Sequence, residues 1–314
     1  MSSLAMREAY GRKLAAYGEI NQRVVVLDAD TSSSTLSNFF AQKFPDRFFN
    51  IGIAEPCTVD VAAGLALGGK IPVVNVFAAL LTLRALEQIR TCVCYARTNV
   101  KLSGSYAGVS DFKDGPTHHA IEDIAVMRVL PEMVVIVPAD EVEIAAWLPK
   151  IIEYEGPVYL RISRAATIKV FGEEPAVEFG KGVLLREGKD AAIIAAGAMV
   201  GRSIEAARQL AEDGIQCQVI NMSCIKPIDQ TLILQTAQQT GAIVTAEEHS
   251  IIGGLGGAVA EVLAETIPVP MKRVGIQDKF TGTAYDPETL MDACGLGVVD
   301  IVNAVKDVMQ RKAE

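Results

Sequence analysis

The stretch at 47–56, RFFNIGIAEP, drives a carboxylate, Glu55, out of an apolar strand and turn into the start of a helix. A carboxyl group desolvated among Ile51, Ile53 and Ala54 should have its pKa raised, and it could then share a proton with a ring nitrogen of a bound heterocycle. A glutamate in the first turn of a helix is also what the helix dipole favours by itself. A second group ends the apolar run VVVLDAD at 24–30, where Asp30 precedes the hydroxyl-rich TSSST at 31–35. That pattern suits a ligand-binding strand end, and it equally suits an ordinary helix N-cap before the segment 36–40. The loop 105–119, SYAGVSDFKDGPTHH, is long, polar and glycine-containing, and it holds two of the chain's three histidines, His118 and His119. Its composition fits a catalytic loop carried by a rigid sheet, although Asp-Gly-Pro-Thr is turn chemistry in its own right. Arg7 and Arg164 each offer the fixed fork of donors that grips an anion.

Positioning such groups calls for a sheet whose strand ends open onto loops. The first half of the chain alternates short apolar runs with amphipathic helical patterns, as a parallel sheet covered on both faces requires. Strands are expected at 24–27, 48–51, 72–77, 100–103, 134–137 and 158–162, and helices at 5–18, 58–67, 81–97 and 141–153. The polar stretch 163–189 carries no strong period and reads as a connector. A second alternation follows, with strands at 191–196, 217–220, 242–245 and 271–274 and helices at 201–212, 228–239, 255–265 and 298–311. The fold class is therefore α/β, two doubly wound units, the second smaller than the first. The domains are expected at 1–165 and 190–314, joined by a linker at 166–189.

A chain of 314 residues with half its positions hydrophobic is long enough for two cores. The net charge of −9 argues against nucleic acid or an anionic membrane as partner. The longest apolar stretch, 71–83, is too short to cross a bilayer and contains Pro72 and Asn75, and the first residues have no apolar signal core. Of the six cysteines only Cys92 and Cys94 are close-spaced, and two apart on a helix they point in different directions. The expectation is a reduced, cytoplasmic protein.

Several of these motifs occur in a family-like order. RFFNIGIAEP, the helical run 57–69 and the strand IPVVNVF resemble the pyrimidine-binding domain of transketolases, and EEHSIIGGLGGAVAE at 247–261 is similar to that family's carboxy-terminal domain. MREAYG at 6–11, VVVLDAD and DGPTHH at 114–119 extend the resemblance nearly end to end. It implies thiamine diphosphate as cofactor, activated by Glu55 through a proton shared with the aminopyrimidine ring. It also implies that Asp30 lies near the cofactor and that Phe77, Leu80 and Leu83 wall the pyrimidine, the two leucines standing where the family has aromatic residues. Arg7, Ser34, Tyr106 and Arg164 would hold the anionic end of the substrate. Asp114 would contact a sugar hydroxyl, and His118 would move protons beside the cofactor. His119 is given no role, and the third histidine, His249, reads as structural or interfacial. The family commonly has a histidine where this chain has Tyr106 and a glycine where it has Phe112, which suggests a sugar other than the usual pentose phosphates, branched or sulfonated.

No Gly-Asp-Gly occurs in the sequence, so the oxygen cage that joins Mg²⁺ to the diphosphate must come from elsewhere, and no metal ligand is assigned to this chain. The resemblance then implies the small subunit of a split transketolase. This chain would dimerise within a two-of-each assembly, and a partner subunit would carry the diphosphate domain and hold Mg²⁺. A two-carbon ketol unit would pass from a ketose phosphate to an aldose phosphate. A deoxyxylulose-phosphate synthase, a 2-oxoacid dehydrogenase β subunit and a non-catalytic scaffold are the alternatives.

Overall fold

The computed structural model describes residues 4–313; the outermost residues of the two expected domains, 1–3 and 314, lie outside the described residues. Twelve strands form two sheets among the described residues. The first contains β1 (Val24–Asp28), β2 (Phe48–Asn50), β3 (Ile71–Phe77), β4 (Lys101–Ser105), β5 (Val134–Ile136), β6 (Val158–Ile162) and β10 (Cys224–Lys226). Its order is β10-β5-β6-β4-β3-β1-β2. The second contains β7 (Val183–Arg186), β8 (Ala191–Ala195), β9 (Cys217–Asn221), β11 (Ile243–Ser250) and β12 (Met271–Ile276), in the order β12-β11-β8-β9-β7. Every pairing is parallel except β10 with β5 and β7 with β9. Helices cover both sheets, as the alternation of apolar runs and amphipathic segments requires.

Strands β1, β4, β6, β8 and β9 are buried along their whole length; β1 and β8 read accordingly as apolar runs, while β4, β6 and β9 bury polar groups such as Lys101, Arg161 and Gln218 among their apolar residues. One apolar core joins the two sheets. Val74, Leu102 and Tyr159 of the first pack in the same cluster as Ile194, Ile220 and Ile243 of the second. The helix Glu141–Glu153 starts where expected, because the Asp140 carboxylate accepts from the Val142 and Glu143 amides. The other oxygen of Asp140 takes the amides of Val170 and Phe171, pinning the connector to the first unit.

Besides short helices at Asn38–Lys43, Asp123–Val129 and Pro287–Ala293, which are not among those expected, three features depart from the pattern. The connector contains β7, an edge strand that the polar sequence conceals. The three-residue β10 leaves the second unit to pair with β5. The helix expected at 81–97 is divided into Ala78–Arg84, Leu86–Gln88 and a wide π-helical segment, Ile89–Tyr95. Leu81, Ala85, Ile89 and Val93, spaced four apart, are all fully buried. An α-helix of 3.6 residues per turn would rotate such a row off the core, and the wider turns keep it facing inward.

Candidate active site

The suspect residues lie at carboxyl ends of neighbouring strands of the first sheet, where open α/β sheets bind ligands. Phe77 ends β3, Tyr106 follows β4, and Arg164 follows β6. The rings of Phe77 and Tyr106 stack, with centroids 4.2 Å apart. The His118 ring meets Phe77 edge-on at 6.2 Å, and its Nδ1 lies 3.0 Å from the Thr117 hydroxyl. Two guanidinium groups flank the tyrosine, Arg7 at 5.6 Å and Arg164 at 5.1 Å from the ring centroid. Arg7 Nη1 also donates to the Tyr106 hydroxyl, 3.0 Å, and to the Ser34 carbonyl, 2.6 Å. Residues scattered from 7 to 164 thus form one contiguous group: Arg7, Ser34, Phe77, Tyr106, His118 and Arg164. Ser34 joins it through its backbone carbonyl. Tyr106 has φ +60°, an uncommon conformation for a bulky side chain, located at the centre of the cluster.

Asp111, which sequence reasoning passed over, is fully buried, and its Oδ1 accepts from Arg164 Nη1 at 2.9 Å. Burial and the neighbouring Asp114 carboxyl push its pKa up to about 7, against the opposing pull of Arg164 and Arg7. Asp114 itself is exposed on the loop. The second unit holds this loop. The His119 ring joins Thr281 and the Asp111 carbonyl, the Ala284 amide donates to the Phe112 carbonyl, and Glu248 accepts from the Val109 amide at 2.7 Å. His249 accepts from the Ala125 amide and lies at the junction of the units.

Glu55 is the first residue of the helix Glu55–Leu67 and is only 3% exposed. Its surroundings differ from the expected apolar pocket: Ile53 is 76% exposed, and Arg84 Nη1 meets Glu55 Oε1 at 2.9 Å. The carboxylate is therefore paired, by a residue 29 positions away on a different helix. Leu80 packs against the core while Leu83 is exposed, so the two leucines present different faces. Asp30 stands exposed on the rim and exchanges two hydrogen bonds with Asn50, at 3.1 and 3.2 Å. The buried carboxylate of this strand end is Asp28, which holds the Thr31 amide and hydroxyl, each at 2.9 Å. No hydrogen bond joins Asp30 or Glu55 to the Tyr106 cluster among the described residues. Nor is there any group of three or more His, Cys, Asp or Glu side chains placed to hold a metal ion among them.

Residues 2–169 match the transketolase pyrimidine-binding domain and residues 180–301 the transketolase C-terminal domain. The chain is 40% identical to a 6-deoxy-6-sulfo-D-fructose transketolase subunit of Clostridium sp. (strain MSTE9), over 98% of this chain and 95% of that one. It is 41% identical to a putative transketolase C-terminal section of Methanocaldococcus jannaschii, over 98% and 97%. A solved structure described as a split gene transketolase, inactive beta4 tetramer, superposes with a TM-score of 0.90 at 46% identity, covering 99% of this chain and all of that one. This chain belongs to the transketolase family, of which it carries the pyrimidine-binding and C-terminal domains.

Proposed function

We propose that this chain is the small subunit of a split, thiamine diphosphate-dependent transketolase, which moves a two-carbon ketol unit from an anionic ketose to an aldose phosphate. The observation that carries the reading is the convergence of Arg7, Tyr106, Phe77, His118 and Arg164 into one cluster at the strand ends. The residues this reading assigns to the pyrimidine half of the cofactor are Glu55, Phe77, Leu80 and Leu83. Glu55 is buried with Oε1 engaged by Arg84, Phe77 ends the strand before the helix that carries Arg84, and on that helix the exposed Leu83, rather than the core-packed Leu80, is free to meet a ligand or a partner. Asp30 stands at the rim of the same face. When bound, the cofactor supplies a thiazolium able to stabilise negative charge at the carbon left by bond cleavage.

The chain's own groups do the rest. Glu55, through the oxygen that Arg84 leaves free, would share a proton with a ring nitrogen of the cofactor. His118, the imidazole at the edge of Phe77, moves protons to and from substrate oxygens. Asp114 accepts from a sugar hydroxyl. Arg7, with the Ser34 carbonyl and the Tyr106 hydroxyl as its guides, and Arg164 hold the anionic end. The diphosphate and Mg²⁺ are assigned to a partner subunit, on the ground that the sequence carries no Gly-Asp-Gly segment. Ile53, Val61 and Leu67, on or just before the helix that carries Glu55, and Leu83 and Tyr95 on the segments that follow β3 are exposed apolar side chains suited to contact with another chain. The description of the related tetramer as inactive fits a subunit that self-associates and cannot turn over alone. The sulfosugar named for the Clostridium relative makes a sulfonated ketose a donor to test beside ketose phosphates.

The test is ketol transfer by this chain mixed with a separately produced diphosphate-domain subunit, with thiamine diphosphate and Mg²⁺ supplied. Turnover that needs both chains is expected. Turnover by this chain alone would refute the split assignment, and a stable, inactive complex across a panel of ketoses would favour a scaffold.

A further inference from the structure

The anion-gripping group contains an internal anion. Asp111 is completely buried, and it reaches Arg164 Nη1 at 2.9 Å from a loop 53 residues earlier in the chain. The same loop fixes the arginine's backbone, since the Arg164 amide donates to the Ser110 hydroxyl at 3.0 Å and that hydroxyl donates to the Ala107 carbonyl at 2.6 Å. The second oxygen, Asp111 Oδ2, is buried without a hydrogen bond, as are Arg164 Nε and Arg7 Nε. A carboxylate held in this way offsets one of the two guanidinium charges that flank Tyr106. A substrate end held by Arg164 shares that guanidinium with the carboxylate.

We propose that Asp111 sets the charge preference of this pocket, disfavouring doubly charged substrate ends such as phosphate and favouring singly charged ones such as sulfonate. The inference rests on the reading that Arg7 and Arg164 bind the substrate's anionic end. The reasoning is electrostatic. Repulsion from a fixed carboxylate scales with the charge of the incoming group, and in a partly buried pocket it is weakly screened. The groups that face Asp111 are Arg164, Arg7, Asp114 and the His119 ring on its own carbonyl. Burial and Asp114 raise its pKa to about 7, so the titration is run at pH 8.5, above that value, where Asp111 is ionised.

Calorimetric titration of the full chain at pH 8.5 with inorganic phosphate and with methanesulfonate, for wild type and Asp111→Asn, decides the matter. The variant is expected to bind phosphate about tenfold more tightly and methanesulfonate only about threefold more tightly. Weaker or unchanged binding of both anions would overturn the proposal and leave Asp111 as a positioning residue for Arg164. In the assembled enzyme, the KM for a phosphate-ended ketose should fall relative to that for its sulfonate counterpart, with kcat little altered. If wild type shows no ketol transfer, the functional reading fails while the anion titration still decides the role of Asp111. Should the asparagine variant not fold, Asp111→Ser, which leaves room for water in place of the carboxylate, carries the same expectation.

Discussion

Glu55 Oε1 lies 2.9 Å from Arg84 Nη1, a carboxylate side chain 4% exposed against a guanidinium side chain 53% exposed. The pair puts the proposed proton-holding group at the boundary between the core and the surface that another chain would cover. Arg84 belongs to the helix after Phe77, so the carboxylate is held by the segment that also offers Leu80 and Leu83. Replacing Glu55 with Gln should therefore preserve the fold and remove the proton-holding function. A loss of about 10²- to 10³-fold in ketol transfer is expected for the assembled enzyme, with an unchanged circular dichroism spectrum. Wild-type turnover in this variant would exclude Glu55 from catalysis.

Tyr106 joins both arginines to Phe77. Removing only its hydroxyl, as in Tyr106→Phe, takes one acceptor from Arg7 and leaves the Ser34 carbonyl. The KM for the ketose should rise about three- to tenfold with kcat nearly constant. Tyr106→Ala also deletes the stack, and both parameters should worsen. Steady-state kinetics on the two variants separates anion orientation from ring packing.

Glu248 is buried against Arg161 and the Val109 amide, and burial pushes its pKa up from the ordinary carboxylate value of 4.5 to about 7. Between those two values the folded state retains a proton that the unfolded chain has released, so this residue's contribution to stability falls as pH rises through the window. Glu248→Gln should flatten that part of the profile. Urea denaturation at pH 5, 6, 7 and 8 for both proteins would show it, and parallel profiles would exclude Glu248 as the titrating group.

Tyr95 is 86% exposed and Leu67 79% exposed, and neither contributes to the core. Changing both to Glu should alter monomer stability by less than about 0.5 kcal/mol each. It should nevertheless weaken self-association and capture of a diphosphate-domain subunit. Light scattering and co-purification are the measurements, and unaltered assembly would move the interface to another face.

Strands such as Val24–Asp28, Ile71–Phe77 and Ala191–Ala195 are legible because burial on both faces makes them mostly apolar, and Asp140 announces its helix by ordinary capping. Glu55 could be singled out because a charge amid IGIAEP is locally anomalous. The pairs that define the site are not local. Arg84 with Glu55 and Asp111 with Arg164 are brought together by the sheet across 29 and 53 residues, and no periodicity encodes such meetings. Asp111 had one available signal, an acidic residue between Ser110 and Phe112 in a loop already suspected, and turn chemistry masked it. Strands β7 and β10 were missed because each is short, antiparallel and at a sheet edge, where alternation is brief and polar residues are tolerated.

Strand β10 has a consequence for how the molecule comes apart. Cys224–Lys226 lies beyond any cut at the connector, yet it caps the free edge of β5, and Lys226 donates to the carbonyls of Arg128 and Leu130. A protease nick or a gene truncation near residue 180 would strip that edge and uncover the apolar surface under Ile225. The first unit would then become a sticky fragment with an open hydrogen-bonding edge, and the two halves should melt in a single cooperative transition.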